Sequence, residues 1–225
     1  MSVVSDTIDW LTDSTHWSGD DGIPNRMIEH ITYTAETIAI AGVIAIPVGL
    51  WIGHTGRFRS LAVGLTGAMR ALPTLGLLTA IALYLGIGLT APLVALVVLA
   101  VPPLLAGAYA GLESVDRATI DAARAMGMTE WQILTKVELP LALPIVVGGM
   151  RSAVLQVVAT ATVAAYVGLG GLGRYLIDGQ AVNDYAQMAG GSIAVIALAL
   201  ALDAVFAGLQ GVALGRRPKT HPSHA

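Results

Sequence analysis

The chain has 225 residues and contains no cysteine, and charged residues make up only 12% of it. Without cysteine it holds neither disulfides nor thiolate metal sites, which leaves the redox compartment open. Because a typical soluble domain is about 25% charged, this scarcity, together with 55% hydrophobic residues, indicates a membrane protein. The net charge of −3 and the scattered basic residues give no electrostatic case for nucleic-acid binding.

Long uncharged runs separate the few charged residues. They cover residues 37–53, 71–112, 152–173 and 185–202, and a membrane-crossing helix needs about 20 apolar residues. The longest run is divided near Gly86, Gly88 and Pro92, which favour a turn over continued helix. The pattern therefore predicts an all-α, polytopic membrane protein with five transmembrane helices, at about 30–53, 60–87, 91–112, 140–166 and 188–212.

Lysine and arginine are distributed unevenly among the segments that connect these helices. With the N-terminus outside, eight of them fall in cytoplasmic segments and two in outer ones, and cytoplasmic loops carry the excess. We therefore expect an extracytoplasmic segment 1–29, a transmembrane domain 30–215 and a cytoplasmic tail 216–225. Trp10 and Trp17 suit a short amphipathic piece at the outer interface, while the polar composition of 1–29 also fits a disordered tail.

Segment 113–140 is a polar, glycine-broken loop between two of the predicted membrane helices. Asp116 is placed to cap a helix over 117–126, and Gly127 suits the left-handed conformation that closes a helix. Thr129 and Gln132 have the spacing of a capping box for a second helix, over about 130–137. Gly127 is thus predicted to be the hinge between two short helices.

The first of these helices carries features of a contact surface. Ala122 and Ala123 are small, so a partner can approach closely, while Met126, Met128 and Trp131 offer the adaptable and aromatic area that is enriched in interfaces. This would be recognition of a helix in a groove. The local features leave open that the segment is an ordinary capped connector at the membrane surface.

The pattern D-A-A-x3-G-x9-V-x-L-P in this loop resembles the E-A-A coupling loop of ABC importer permeases, which engages the ATPase subunit. Asp121 stands where the family motif has Glu, and Val137 where Ile is usual, so charge and branching are kept. The coupling residues that the resemblance implies are Asp121, Ala122, Ala123, Gly127, Val137, Leu139 and Pro140.

Other stretches resemble the permease subunits of osmoprotectant importers, which serve glycine betaine, carnitine, choline or proline. These stretches lie at 17–19, 22–24, 29–30, 70–75, 122–128, 137–144 and 166–173. The resemblance implies a type I importer permease fold in the bacterial inner membrane, a second permease subunit that is identical or different, two ATPase subunits and an extracytoplasmic substrate-binding protein. No cofactor or metal is expected on this chain, because it has no G-x-x-x-x-G-K-[ST] phosphate loop, so ATP and Mg would bind the partner ATPase.

Ionised groups within the predicted spans are costly unless they are paired or hydrated. Glu36, Arg151 and Asp203 are therefore expected to face protein or water. Arg151 with Glu36 or Asp203 would form either a helix-bridging network that changes between inward and outward states or a static pair, and Glu36 could also snorkel near its helix end.

Tyr166 and the glycines after it form a candidate gating segment. Gly168, Gly170 and Gly173 have the G-x-G-x-x-G spacing, but they follow a predicted membrane helix rather than a strand, so a dinucleotide site is not indicated. We interpret them as a flexible outer connector, which the resemblance places at the external end of the pathway.

Two other functional classes make different demands on the sequence. A secondary carrier would use Glu36, Asp203 and Arg151 for ion coupling and would work without an ATPase. A membrane enzyme is disfavoured, because no H-E-x-x-H spacing is present. Within the importers, methionine or taurine remain alternative solutes, since the chain offers no obvious aromatic cage for a quaternary ammonium, and selection is expected to reside in the binding protein.

Overall fold

The computed structural model of the protein describes residues 2–86 and 88–215, and the predicted cytoplasmic tail 216–225 lies outside this range. Every regular element in the described residues is helical. The α-helices are α1 (Val3–Thr12), α2 (Ile23–Thr55), α3 (Arg59–Arg70), α4 (Thr74–Leu85), α5 (Thr90–Glu113), α6 (Arg117–Ala125), α7 (Glu130–Ile133), α8 (Leu139–Ala164), α9 (Gly173–Val182) and α10 (Tyr185–Gly215). Two 3-10 turns, at Ser14–Trp17 and Ala165–Val167, and a π-helical turn at Leu134–Glu138 complete them.

Four helical stretches of the described residues are long and apolar enough to cross a membrane: Ile23–Thr55, Thr90–Glu113, Glu130–Val167 and Tyr185–Gly215. A fifth crossing is made if α3 and α4 together count as one broken span, with 88° between their axes. The prediction of one continuous helix over 60–87 is therefore wrong. Pro73 explains the break, because it disfavours helical geometry in Leu72 and has no N–H to donate, and its own ψ of 116° is extended.

The N-terminal segment departs from prediction in two ways. The first membrane helix begins at Ile23 rather than near residue 30, with Gly22 as its N-cap and Pro24 in its first turn, where a missing N–H costs nothing. The idea of a disordered tail is also wrong, because 3–12 is helical and Trp10 is buried. Trp10 stacks on His16 and meets the edge of Tyr175, with ring centroids 4.3 and 5.2 Å apart respectively.

Helix α5 lies at the centre, between α2 and α8. Glycines make both of its contacts close: a Cβ on Gly49 of α2 would lie 2.6 Å from the Cβ of Ala108, and one on Gly107 would lie 2.5 Å from the Cα of Gly149 on α8. Such approach of bare backbones is how small residues let membrane helices pack. The G-x-x-x-G pairs Gly49–Gly53 and Gly107–Gly111 therefore make seams within the chain.

Candidate functional site

The loop between α5 and α8 folds largely as its sequence predicts. Asp116 accepts a hydrogen bond from the N–H of Ala118 (3.0 Å) and opens α6, which ends at Ala125, one residue before the predicted end. Gly127 is left-handed, with φ 82°, and Thr129 and Gln132 make both hydrogen bonds of the capping box. The predicted turn between two helices is thus present.

The second helix does not end at 137 as predicted. After α7 the chain continues through the π-helical turn at Leu134–Glu138 directly into α8. Pro140 explains the π-helical turn, because it has no N–H for the usual helical bond. The N–H of Leu139 bonds instead to the carbonyl of Leu134, one residue further back than in an α-helix. Gly127 therefore separates α6 from one long helical body that reaches into the membrane.

The α6 helix buries one face and leaves the other open. Ile120 and Ala123 pack with Leu112 and Ile133 in a small apolar core, while Asp121 and Ala122 are exposed. Three residues after Ile120, Ala123 lies on the same, buried face of the helix, so Ala122 is the alanine open to a partner, and a role of Ala123 in coupling stays a prediction.

Two large apolar side chains stand out from the same surface. Met126 is 76% exposed and Trp131 is 72% exposed. Val137 and Leu139 are half-buried and Pro140 is exposed, and all three lie where the loop joins the start of α8. Asp121, Ala122, Met126 and Trp131, which we call the loop surface, are thus presented by short helices whose other side is anchored.

A chain of charged residues ties the loop to the end of α2. Arg124 lies 3.3 Å from Asp121 and donates to both oxygens of Glu130, at 2.8 and 3.1 Å. Glu130 in turn lies 3.3 Å from His54 Nε2, and His54 Nδ1 is 2.5 Å from Glu138, whose side chain is 2% exposed. The hydrogen bond to Glu130 also raises the pKa of the Arg124 guanidinium. Sequence reasoning missed this network, because residues 54 and 138 meet through folding alone.

Two adjoining cavities, which together we call the chamber, lie where α3, α5 and α8 meet. Their volumes are about 360 and 300 Å³. Both are lined by Arg70, Pro103 and Ser152, the first also by Gln156 and the second by Gln210. No motif or spacing groups these residues, which are spread over 140 positions of the chain.

The predicted membrane charges are partly brought together. Arg151 on α8 donates to both carboxylate oxygens of Asp203 on α10, at 2.6 and 2.7 Å, and each side chain is about one-third exposed. Glu36 is exposed on α2 and makes no ion pair with any described residue. The three residues therefore do not form one network in this state.

The glycine segment between α8 and α9 is packed rather than a flexible connector. Gly168 and Gly171 are left-handed, and the N–H of Gly171 donates to Glu29 at 2.8 Å. A Cβ on Gly170 would come within 2.7 Å of the same carboxylate. Gly170 and Gly171 are therefore required by their close approach to α2, and Gly168 by its left-handed backbone.

The other two residues of this segment differ in exposure. Gly173 starts α9 and is buried against Thr162, while Tyr166 is 61% exposed. Of the two, Tyr166 is therefore the one whose side chain is open to a partner. No group of three or more histidine, aspartate or glutamate side chains among residues 2–86 and 88–215 is arranged to hold a metal ion.

Residues 45–217 match the family described as binding-protein-dependent transport system inner membrane components. The chain belongs to this family. The permease is 30% identical over 199 residues to the carnitine transport permease protein OpuCD of Listeria monocytogenes, covering 88% of this chain and 89% of that relative. It is 30% identical to the choline transport system permease protein OpuBD of Bacillus subtilis, over 80% of each chain. It is also 29% identical to the osmoprotectant import permease protein OsmW of Salmonella typhimurium, over 92% and 96%.

Solved structures show the same fold. An inward-facing structure of the MetNI methionine ABC transporter superposes with a TM-score of 0.75 at 24% identity, covering 85% of this chain and 95% of that one. An amino acid ABC transporter has a TM-score of 0.63 at 20% identity, over 87% and 94%. The permease thus has the type I ABC importer permease fold, as the resemblance of its loop indicated, and the matched family region contains the loop surface and the chamber.

Proposed function

We propose that this permease is the membrane-spanning subunit of an ATP-driven importer for compatible solutes such as glycine betaine, carnitine, choline or proline. It would form the translocation pathway and engage a separate ATPase, which holds ATP and Mg, through loop 113–140. The names of its relatives support the solute class, since they transport carnitine, choline and osmoprotectants. A second permease subunit and an extracytoplasmic binding protein would complete the assembly in the bacterial inner membrane.

The loop surface is the observation that carries this proposal. Met126 and Trp131 are exposed on helices fixed by caps, by a buried apolar core and by the Arg124–Glu130 pair. Exposed methionine and tryptophan next to small residues are typical of a docking surface rather than of a solvated connector. Because that surface lies beside a continuous helix into the membrane, a partner that moves it also moves α8.

The chamber lies between the parts that would move. Its walls come from α3, α5 and α8, so a displacement of α8 relative to α5 changes its opening. Net transport requires that solute affinity differ between the two positions of α8, because a ligand with equal affinity for both shifts no population. ATP binding and hydrolysis by the partner ATPase, acting on α8 through loop 113–140, would supply the energy for this difference in solute affinity.

Mass spectrometry of proteins that co-purify with the tagged, natively expressed chain tests the docking proposal. We expect stoichiometric recovery of an ATPase subunit, and its loss in Trp131→Glu, which places a charge on the exposed apolar area. Gln132 is unsuitable as a control, because its side chain caps the same helix. Thr135→Ser removes only a methyl group four residues after Trp131, so it is the matched control and is expected to retain the ATPase. Recovery of the folded chain alone, even after cross-linking, would instead favour an ion-coupled secondary carrier.

Uptake into proteoliposomes that hold the purified assembly tests the solute class. Competition of labelled glycine betaine by carnitine, choline and proline, and its absence with methionine and taurine, is the expected result. Selective uptake of methionine or taurine would overturn the assignment to compatible solutes while leaving the importer fold intact.

A further inference from the structure

Arg70 is a charged residue that is exposed on the single chain and has no partner among the described residues. It is the last residue of α3, at the bend before Pro73 and α4. Its side chain lines both cavities of the chamber. Among the described residues it makes no hydrogen bond and no ion pair, whereas Arg151 is paired with Asp203.

The chamber lies near the middle of the membrane helices that form it. Pro102 and Pro103 are close to the centre of α5 (Thr90–Glu113), and Ser152 is close to the centre of α8 (Leu139–Ala164). An unpaired guanidinium at such depth is unfavourable unless water or a counter-charge reaches it. Ionisable residues in this position usually mark the path of a substrate or ion.

The chemistry of the chamber wall suits an anion. No aspartate or glutamate of the described chain lines it, and the other polar residues are neutral: Thr74, Ser152, Gln156 and Gln210. Arginine offers a planar fork of donors that matches the two oxygens of a carboxylate. Aromatic side chains, which would hold a quaternary ammonium by its positive charge, are also absent from the described lining.

We propose that Arg70 is a transient binding site for the carboxylate of a small zwitterionic solute as it crosses the membrane. Resting on the proposed function, this assigns the solute class of the chamber: carboxylate-bearing osmolytes such as glycine betaine, carnitine and proline. Choline carries the same quaternary ammonium without a carboxylate and does not use Arg70. The binding protein then recognises the ammonium end, and the chamber the carboxylate end.

The electrostatic half of the proposal is tested without knowing the solute. Because the chain has no cysteine, Ser152→Cys gives a single thiol in the chamber. In permeabilised membrane vesicles, two thiosulfonate reagents of similar size, one with a sulfonate and one with a trimethylammonium group, report the local charge. We expect the ratio of sulfonate to trimethylammonium labelling rates to fall about tenfold when Arg70→Gln is added, the size of a unit charge acting over about 10 Å. Arg70→Lys keeps the ratio.

Ser18→Cys, on the exposed outer segment, is the control, and its labelling ratio is expected to be the same with and without Arg70→Gln. An unchanged ratio at Ser152→Cys would show that Arg70 is already neutralised in the assembly, and would overturn the proposal. Failure of either reagent to label Ser152→Cys would show a dry chamber and would overturn it equally.

Transport tests the recognition half. In proteoliposomes, Arg70→Gln is expected to lower glycine betaine uptake at least about tenfold, as for loss of a charge-assisted bidentate contact, while choline uptake stays within about twofold. Arg70→Lys, which keeps the charge but loses the fork, is expected to be intermediate. Equal losses for both solutes, or none, would overturn the proposal. If the unmodified assembly carries neither solute, the proposed function fails, and the labelling ratio still decides whether the chamber attracts anions.

Discussion

Gly127 joins α6 to α7 through a backbone conformation that other residues adopt at a cost. Its φ is 82° and a Cβ there would meet nothing within 4 Å, so the effect of a substitution comes from the backbone alone. A left-handed conformation costs an L-residue about 1–2 kcal/mol, and a β-branched residue more.

We expect Gly127→Val to weaken ATP-driven uptake by shifting the loop out of this turn. A cost of about 1–2 kcal/mol corresponds to a population change of roughly 5–30-fold. Gly127→Asn should lose less, since asparagine tolerates the left-handed region. The measurement is uptake by the reconstituted assembly, with Gly64→Ala, at an open helical glycine, as the control. Normal uptake in Gly127→Val would remove the hinge from the account.

Glu138 is the most buried ionisable residue of the loop region, and His54 is its hydrogen-bond partner. Removing one partner of a buried hydrogen bond leaves the other unsatisfied, at a cost of about 1–3 kcal/mol. We therefore expect His54→Ala to lower the unfolding temperature strongly, and the double variant His54→Ala with Glu138→Gln to recover part of the loss. Thermal unfolding of the purified protein in detergent measures both. A double variant as unstable as the sum of the single changes would show that the two side chains do not interact energetically.

At the level of elements, local signals predicted local structure. The caps at Asp116 and Thr129 and the turn at Gly127 depend on neighbours within four residues, and all three are present. A single proline within or beside a long apolar run changes the helix, and composition does not predict this effect. Pro73 breaks a run that composition alone makes continuous, and Pro140 leads to a π-helical turn instead of a new helix start.

The sequence left helix α1 open between a short amphipathic piece and a disordered tail, because its stability comes from contacts far along the chain. Its polar sequence gives a weak helix signal, but Trp10 fits against Gly190 of α10 and against Tyr175 of α9. The short helix α9 was missed for the same reason, since it packs mainly on α10.

The pairing of α1 with α10 yields a prediction for one glycine. A Cβ at Gly190 would clash with the indole of Trp10, whereas one at Gly208, on the same helix, meets nothing within 4 Å. We expect Gly190→Val to displace α1, to make residues 1–22 more sensitive to protease and to shift tryptophan fluorescence to longer wavelength. Gly208→Val is the matched control and should behave as the unmodified chain does. Equal proteolysis of both variants would contradict the packing.

For the whole molecule, composition predicted an all-helical membrane protein, and the charge distribution predicted its orientation. The fold is observed, while the orientation stays a prediction. The chamber and the His54–Glu138 link were beyond sequence reasoning, because each depends on the relative positions of helices that are distant in sequence. Even a correct set of helices does not say which polar side chains meet.

Because the chain has no cysteine, single introduced cysteines test its orientation in the membrane. We expect Ser18→Cys to react with an impermeant thiol reagent from outside intact cells. Ser114→Cys, near the loop, should react only after permeabilisation, because arginine and lysine are concentrated on the cytoplasmic side. The reverse pattern would place the loop surface outside the cell, where no ATPase could engage it.

The close contact of α5 and α8 at Gly107 and Gly149 limits which positions of the protein can be changed. The two backbones touch there without side chains between them, while Leu104 of α5 and Val157 of α8 pack in the same core beside the contact. The two glycine positions are therefore intolerant of substitution, since even one methyl group would separate the helices. Efforts to change what the protein carries should vary the other walls of the chamber and keep these two glycines, which also line its second cavity.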